Sequence, residues 1–136
     1  MSGRDGHLER LTQDLRILRS LAEQHPYFSI IETQGDPPDF YLLRFDLPGY
    51  LNAEGEVREQ HLVALELPPG YPRAENGHPR FTFRSTPPLF HPNVAGSGWI
   101  CQGWGHRQKW HFGFRLVDLI RQVAETIICL ESSLGI

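Results

Sequence analysis

In His91-Pro92-Asn93-Val94-Ala95-Gly96-Ser97-Gly98-Trp99-Ile100-Cys101 a Gly-containing run follows a His-Pro-Asn triplet. It ends in a thiol, a nucleophile that can also carry an acyl group as a thioester. Asn93 stands eight residues before Cys101. An asparagine amide can donate a hydrogen bond to the oxyanion that forms when such an ester is attacked. A Gly-rich loop of this length can fold back and set the two side chains side by side. Taken alone, a cysteine beside Ile100 and Trp99 is more often a small buried apolar residue than a nucleophile. The irregular setting shifts that balance, because loops on a rigid scaffold carry function.

Upstream, Leu8, Leu11, Leu15, Leu18 and Ala22 recur at three- and four-residue spacing, one face of an amphipathic helix. Asp5 is the expected N-cap, and His25-Pro26 ends the helix. Arg10, Asp14, Arg16 and Arg19 lie off the stripe and are expected in solvent. Phe28 to Thr33 reads as a strand, Gly35-Asp36-Pro37-Pro38 as a turn, and Phe40 to Leu47 as a second strand. Pro48 to Glu59 reads as an irregular hairpin loop. Gln60 to Leu67 alternates as a third strand, and Arg80 to Arg84 is a short fourth. Ser85 to Phe114 shows no regular element, and a structureless stretch of this length points to function. Leu116, Leu119, Ile120, Val123, Ile127 and Leu130 then resume helical spacing. The pattern predicts an α+β fold: an N-terminal helix, a four-stranded antiparallel meander with helices on one side, an active-site loop and one closing helix.

A chain of 136 residues is expected to form one domain, 1–136. A net charge of −3 without a Lys/Arg cluster argues against a nucleic-acid surface. No apolar run approaches the ~20 residues of a membrane span. Met1 to Arg10 lacks the apolar core of a signal peptide. Cys101 and Cys129 are too few for a disulfide framework, so the compartment reads as reducing and cytoplasmic. A Cys101–Cys129 bridge would consume the nucleophile, and Cys129, among Ile127, Ile128 and Leu130, reads as core filler. Cys101, His106 and His111 are evenly spaced with His91 nearby, and thiolate and imidazole suit zinc. They lack the paired spacing of zinc motifs, so neither a metal nor another cofactor is expected.

The Asn93–Cys101 spacing, with Ile100 directly before the thiol, resembles the active-site segment of ubiquitin-conjugating enzymes. The likeness includes Leu67-Pro68-Pro69-Gly70-Tyr71-Pro72, Pro79-Arg80-Phe81-Thr82-Phe83, Trp110 and the last helix, in the family's order. It implies the ubiquitin-conjugating fold with the later C-terminal helices truncated. It also implies that Cys101 accepts the C-terminus of a ubiquitin-like protein from an activating enzyme and passes it to a target lysine. By the same resemblance, Asn93 stabilises the oxyanion or organises its loop, and His91 is structural. Pro92 fixes the turn that presents Asn93. Candidate contacts to a partner or to the acceptor are Arg10, Arg73, Trp104, His106 and His111.

Several positions depart from that pattern. Gln102-Gly103 replaces the usual Leu and acidic residue after the thiol. Arg73 follows the Tyr-Pro turn where an apolar ligase contact is usual, and His111-Phe112 stands where the ligase-facing Pro is expected. Ligase use is therefore open. A short, divergent sequence that keeps its thiol resembles the bacterial branch, found in operons with an activating enzyme, a ubiquitin-like protein and a deubiquitinase, some linked to phage defence. Two alternatives remain: a non-catalytic binding module for a ubiquitin-like protein with the same fold, and a cysteine hydrolase using Cys101 and a His.

Overall fold

The chain enters the fold through α1 (Gly3–Gln24), which stops one residue before His25-Pro26. The computed structural model describes residues 3–74, 77–101, 110 and 114–128. Because α1 begins at Gly3, Asp5 lies inside the helix and is not its N-cap. Four strands follow in one antiparallel sheet: β1 (Phe28–Gly35), β2 (Pro38–Phe45), β5 (His61–Glu66) and β6 (Arg80–Phe83), in the order β1-β2-β5-β6. The small hairpin of β3 (Gly49–Tyr50) and β4 (Val57–Arg58) is inserted between β2 and β5. α2 (Leu116–Ile128) closes the described chain. Leu130, expected on the same helix face, lies outside the described residues, as does Cys129.

Two strand boundaries differ from the periodicity. β1 runs on to Gly35, and β2 spans Pro38–Phe45 where Phe40 to Leu47 was expected. Pairing resumes as soon as the turn closes, at Gly35↔Pro38, and ends at Phe45↔His61. The segment read as an irregular loop contains the β3–β4 hairpin. Its turn is built by Asn52, whose Oδ1 accepts hydrogen bonds from the backbone N–H groups of Glu54 and Glu56, both at 3.1 Å.

Period-two alternation sorts the sheet into two faces. Leu43, Val63 and Phe83 form one inward row, and Tyr41, Leu65 and Phe81 the next. All six are buried against Leu11 and Leu18 of α1 and Leu116, Leu119, Ile120, Val123 and Ile127 of α2. Leu42, Ala64 and Thr82 form a row on the outward face.

The inner face of α1 is not the simple leucine stripe. Leu8 is exposed, whereas Asp14, expected in solvent, is 1% exposed. Asp14 stands at helical spacing from Leu11 and Leu18, so it must turn inward with them. It is tolerated because its carboxylate is satisfied. The Tyr71 hydroxyl donates to its Oδ2, and Arg10 Nε donates to its Oδ1 at 3.3 Å. Burial raises the Asp14 carboxyl above its ordinary range, against the opposing pull of Tyr71 and Arg10. The Tyr41 hydroxyl, buried nearby, is pushed up to about 12, mainly by burial and then by the Asp14 charge. Arg10 is likewise drawn out of solvent, with its side chain 16% exposed, while Arg16 and Arg19 are exposed as the pattern predicts.

His61 is a second buried polar group that periodicity alone does not reveal. Its ring is fully buried at the start of β5, edge-on to Phe83. Nδ1 accepts from Arg58 Nη2 at 2.9 Å, and Nε2–H donates to the Arg58 carbonyl at 2.9 Å. A Cβ on Gly49 would stand 3.1 Å from Nε2, so the hairpin backbone closes over the ring. Arg58 Nη1 also donates to the Pro87 carbonyl at 2.6 Å, tying the hairpin to the segment that leads to His91. Burial, then the Arg58 charge, holds the His61 pKa down to about 4 from an ordinary 6.5. The neutral ring therefore belongs to the folded state. Its contribution is complete above pH 6.5 and is lost as pH falls toward about 4.

Thermal unfolding across this range should show the midpoint falling with pH, by at most about tenfold in the folding equilibrium per pH unit from this group. Asp14 acts in the opposite sense nearer its ordinary range. The control is His61→Gln, which should be less stable at neutral pH and show a shallower slope between pH 6.5 and 4. An unchanged slope in that variant would remove the assignment to His61.

Candidate active site

β6 is the edge of the main sheet, and the thiol segment is built on it. Phe83 N–H donates to the Gly98 carbonyl at 2.7 Å, and Ile100 N–H donates to the Phe81 carbonyl at 3.0 Å. These two bonds set Thr82 opposite Trp99. On its far side the same segment pairs with the residues after the His91 turn. Ala95 N–H donates to the Trp99 carbonyl at 2.9 Å, and Cys101 N–H donates to the Asn93 carbonyl at 2.7 Å, with Val94 opposite Ile100. As expected, no helix or strand falls between β6 and α2 among the described residues, but isolated bridges add local pairing that the expectation did not include. Residues 93–95 and 98–101 form a narrow antiparallel ribbon that extends the sheet. Periodicity misses it because each limb pairs over only about three residues and glycines interrupt it.

The ribbon decides where the side chains go. Residues opposite each other in an antiparallel ladder share a face, and neighbours along a strand alternate. Val94 and Ile100 pack inward, with Ile100 4% exposed. Trp99 and Cys101, on either side of Ile100, therefore lie on the opposite face, and Asn93, at the end of the His91 turn, is joined to Cys101 through its backbone carbonyl. Cys101 is half-buried and free, Asn93 is exposed, and Trp99 is 45% exposed.

Two local devices hold this arrangement. Gly98 has φ +94°, and a Cβ there would lie 2.4 Å from the Phe83 carbonyl oxygen. No side chain fits between Gly98 and β6. His91 Nδ1 accepts a hydrogen bond from the Asn93 backbone N–H at 3.0 Å, and the His91 carbonyl accepts from Val94 N–H at 3.0 Å. The acceptor role requires an unprotonated Nδ1, and burial lowers the His91 pKa in the same sense. Both backbone polar groups of Asn93 are thus engaged, one with His91 and one with Cys101.

A second cluster lies at the Tyr71-Pro72 turn. Trp110 is buried, stacks between Tyr71 and Phe114 at centroid distances of 5.8 and 5.5 Å, and donates from Nε1 to the Pro72 carbonyl at 2.7 Å. Arg10 donates to the Phe114 carbonyl at 2.6 Å and lies 5.2 Å from the Tyr71 ring centre. His7 Nδ1–H donates to the Tyr71 carbonyl. Arg73 is exposed beside Gly6 of α1. Arg10 and Arg73 together border a shallow pocket of about 190 Å³ with Glu9, Gln13 and Pro72. Trp104, His106 and His111 lie outside the described residues. Among the described residues there is no cluster of three potential metal ligands, and no helix long and apolar enough to cross a membrane.

The sequence pattern presents Trp99 only as an apolar neighbour of the thiol, puts Asp14 in solvent and gives Gly98 no particular role. The signal for Trp99 was available: in an extended Trp-Ile-Cys triplet, an inward Ile forces Trp and Cys outward together.

The architecture is similar to that of human ubiquitin-conjugating enzyme E2 G1, with a TM-score of 0.64 and 20% sequence identity, over 93% of this chain and 97% of that one. No family model matches the chain, and no curated protein matches it in sequence. The chain has the ubiquitin-conjugating fold: α+β, with an N-terminal helix, a four-stranded antiparallel sheet and a helix after the thiol segment.

Gly98→Ala should destabilise the protein by about 2 kcal/mol or more, since it adds left-handed backbone strain to a steric overlap. Chemical denaturation measures the loss. A change below about 0.5 kcal/mol, the range of an ordinary surface substitution, would contradict the close approach to β6.

Proposed function

We propose that the chain is a conjugating enzyme for a ubiquitin-like protein, with Cys101 as the acyl carrier. The observation that carries the reading is that the Cys101 N–H donates to the Asn93 carbonyl, which holds the two residues next to each other while Ile100 is buried in the core and Cys101 stays partly exposed. The fold likeness and the residue pattern around the thiol support it. In the proposed cycle the Cys101 thiolate attacks the thioester carbonyl of a ubiquitin-like protein carried by an activating enzyme and expels that enzyme's thiolate. An amine of a target lysine then adds to the new thioester. In this cycle the Asn93 amide donates to the oxyanion, and Cys101 leaves as thiolate. The activating enzyme has already spent the nucleotide, so this centre needs no cofactor of its own. The expected compartment is the cytoplasm.

Contacts to partners are assigned to the Arg10–Arg73 pocket and to the segment holding Trp104, His106 and His111. Arg73 and the changes after the thiol weigh against a conventional ligase contact. The proposed setting is a bacterial conjugation operon serving phage defence, with the activating enzyme and the ubiquitin-like protein encoded nearby. His91 is disfavoured as the base of a hydrolase because its Nδ1 is occupied by the Asn93 N–H. A non-catalytic module is disfavoured by the free, partly exposed thiol.

Charging assays with ATP and a panel of ubiquitin-like proteins, each with its activating enzyme, test the reading. Wild type should form a thiol-sensitive adduct, Cys101→Ser a more stable oxyester, and Cys101→Ala none. Adduct formation by Cys101→Ala would refute the carrier role. Asn93→Ala should still charge but discharge to lysine ~100–1,000-fold more slowly. Equal loss of both steps would point instead to a purely structural role for Asn93.

A further inference from the structure

Trp99 is exposed, large and apolar, and it is not absorbed by the cycle above. Its position is fixed by pairing on both sides, with Thr82 across one ladder and Ala95 across the other. It shares the outward face of the ribbon with Cys101, two residues away. Along an extended strand that separation is about 6.6 Å, similar to the length of a four-methylene side chain ending in an amine. A lysine whose Nζ reaches a thioester on Cys101 can thus lay its methylene stem along the indole.

Resting on the conjugating-enzyme reading, we infer that Trp99 is a specificity-determining contact for the acceptor. It packs the aliphatic stem of a lysine-like primary amine and so selects long alkylamines over short ones. The contact is with the stem and not with the ammonium, because a cation held over the ring would stay protonated and could not attack. Packing the stem also removes water from the amine, which favours its neutral, nucleophilic form. In the step itself the neutral nitrogen adds to the thioester carbonyl carbon and the C–S bond breaks. Cys101 departs as thiolate, and the proton released from nitrogen passes to solvent, leaving an amide and a free thiol. Each methylene withdrawn from water favours binding by about fourfold, so two or more give about tenfold or greater discrimination.

The test loads Cys101 by thiol exchange with a synthetic peptide mercaptoethanesulfonate thioester ending in glycine. Discharge is then timed with methylamine and with pentylamine, which present the same amino group on short and long stems. Wild type should discharge to pentylamine about tenfold faster than to methylamine. Trp99→Ala should bring that ratio close to one, and Trp99→Phe should keep part of it. A ratio near one in the wild type overturns the inference, as does a ratio that Trp99→Ala leaves unchanged. Both variants replace an exposed side chain, and an unchanged unfolding midpoint verifies their fold. Failure of the underlying reading has a different signature: the Cys101 thioester would react with either amine no faster than a thioester of the same peptide on a small thiol in solution.

Discussion

The backbone pairing of β6 with the segment Gly98 to Ile100 is the constraint on which the rest of the site depends. A sheet edge presents unpaired N–H and carbonyl groups that need partners. Here the chain supplies them itself, returning through the His91 turn to lay the thiol segment along Phe81 to Phe83. Everything chemical follows from that register. Once Ile100 is locked into the core, Cys101 and Trp99 must face outward. The second limb of the ribbon then brings the Asn93 carbonyl to the Cys101 N–H. The close approach of Gly98 to the Phe83 carbonyl is the steric condition for this docking.

Two braces keep the ribbon in place from either side. The β3–β4 hairpin reaches the approach to His91 through Arg58 to the Pro87 carbonyl and through Phe90 N–H donating to the Tyr50 carbonyl at 2.8 Å. Buried His61 links that hairpin to the main sheet. On the other side Trp110 anchors the chain beyond the thiol against the Tyr71-Pro72 turn, and α1 grips the same turn through Asp14, Arg10 and His7. The buried polar residues Asp14 and His61 thus sit at junctions between elements, where their hydrogen bonds set how one element meets the next. A satisfied polar network inside a core specifies geometry because its alternatives leave groups unpaired.

Much of this was legible in the sequence. The helices and four main strands follow from apolar spacing, and the thiol and its asparagine stand out by residue type and separation. Less legible was whatever depends on two distant segments meeting. Asp14 looks solvated because its partner Tyr71 is far along the chain. His61 looks like an ordinary polar start to a strand because its satisfaction depends on Arg58 and the hairpin. The ribbon at 93–101 has too few residues per limb for periodicity to register, and its pairing is visible only once β6 is in place.

The most direct test of this account is amide hydrogen exchange at Cys101 and Ile100, measured residue by residue. Both amides donate hydrogen bonds, Cys101 to the Asn93 carbonyl and Ile100 to the Phe81 carbonyl. Both should therefore exchange far more slowly than in an unstructured peptide, and Gly98→Ala should speed them together. Exchange of the Cys101 and Ile100 amides at the rate of an open loop would contradict it, because the thiol would then sit on a free segment rather than on the edge of the sheet.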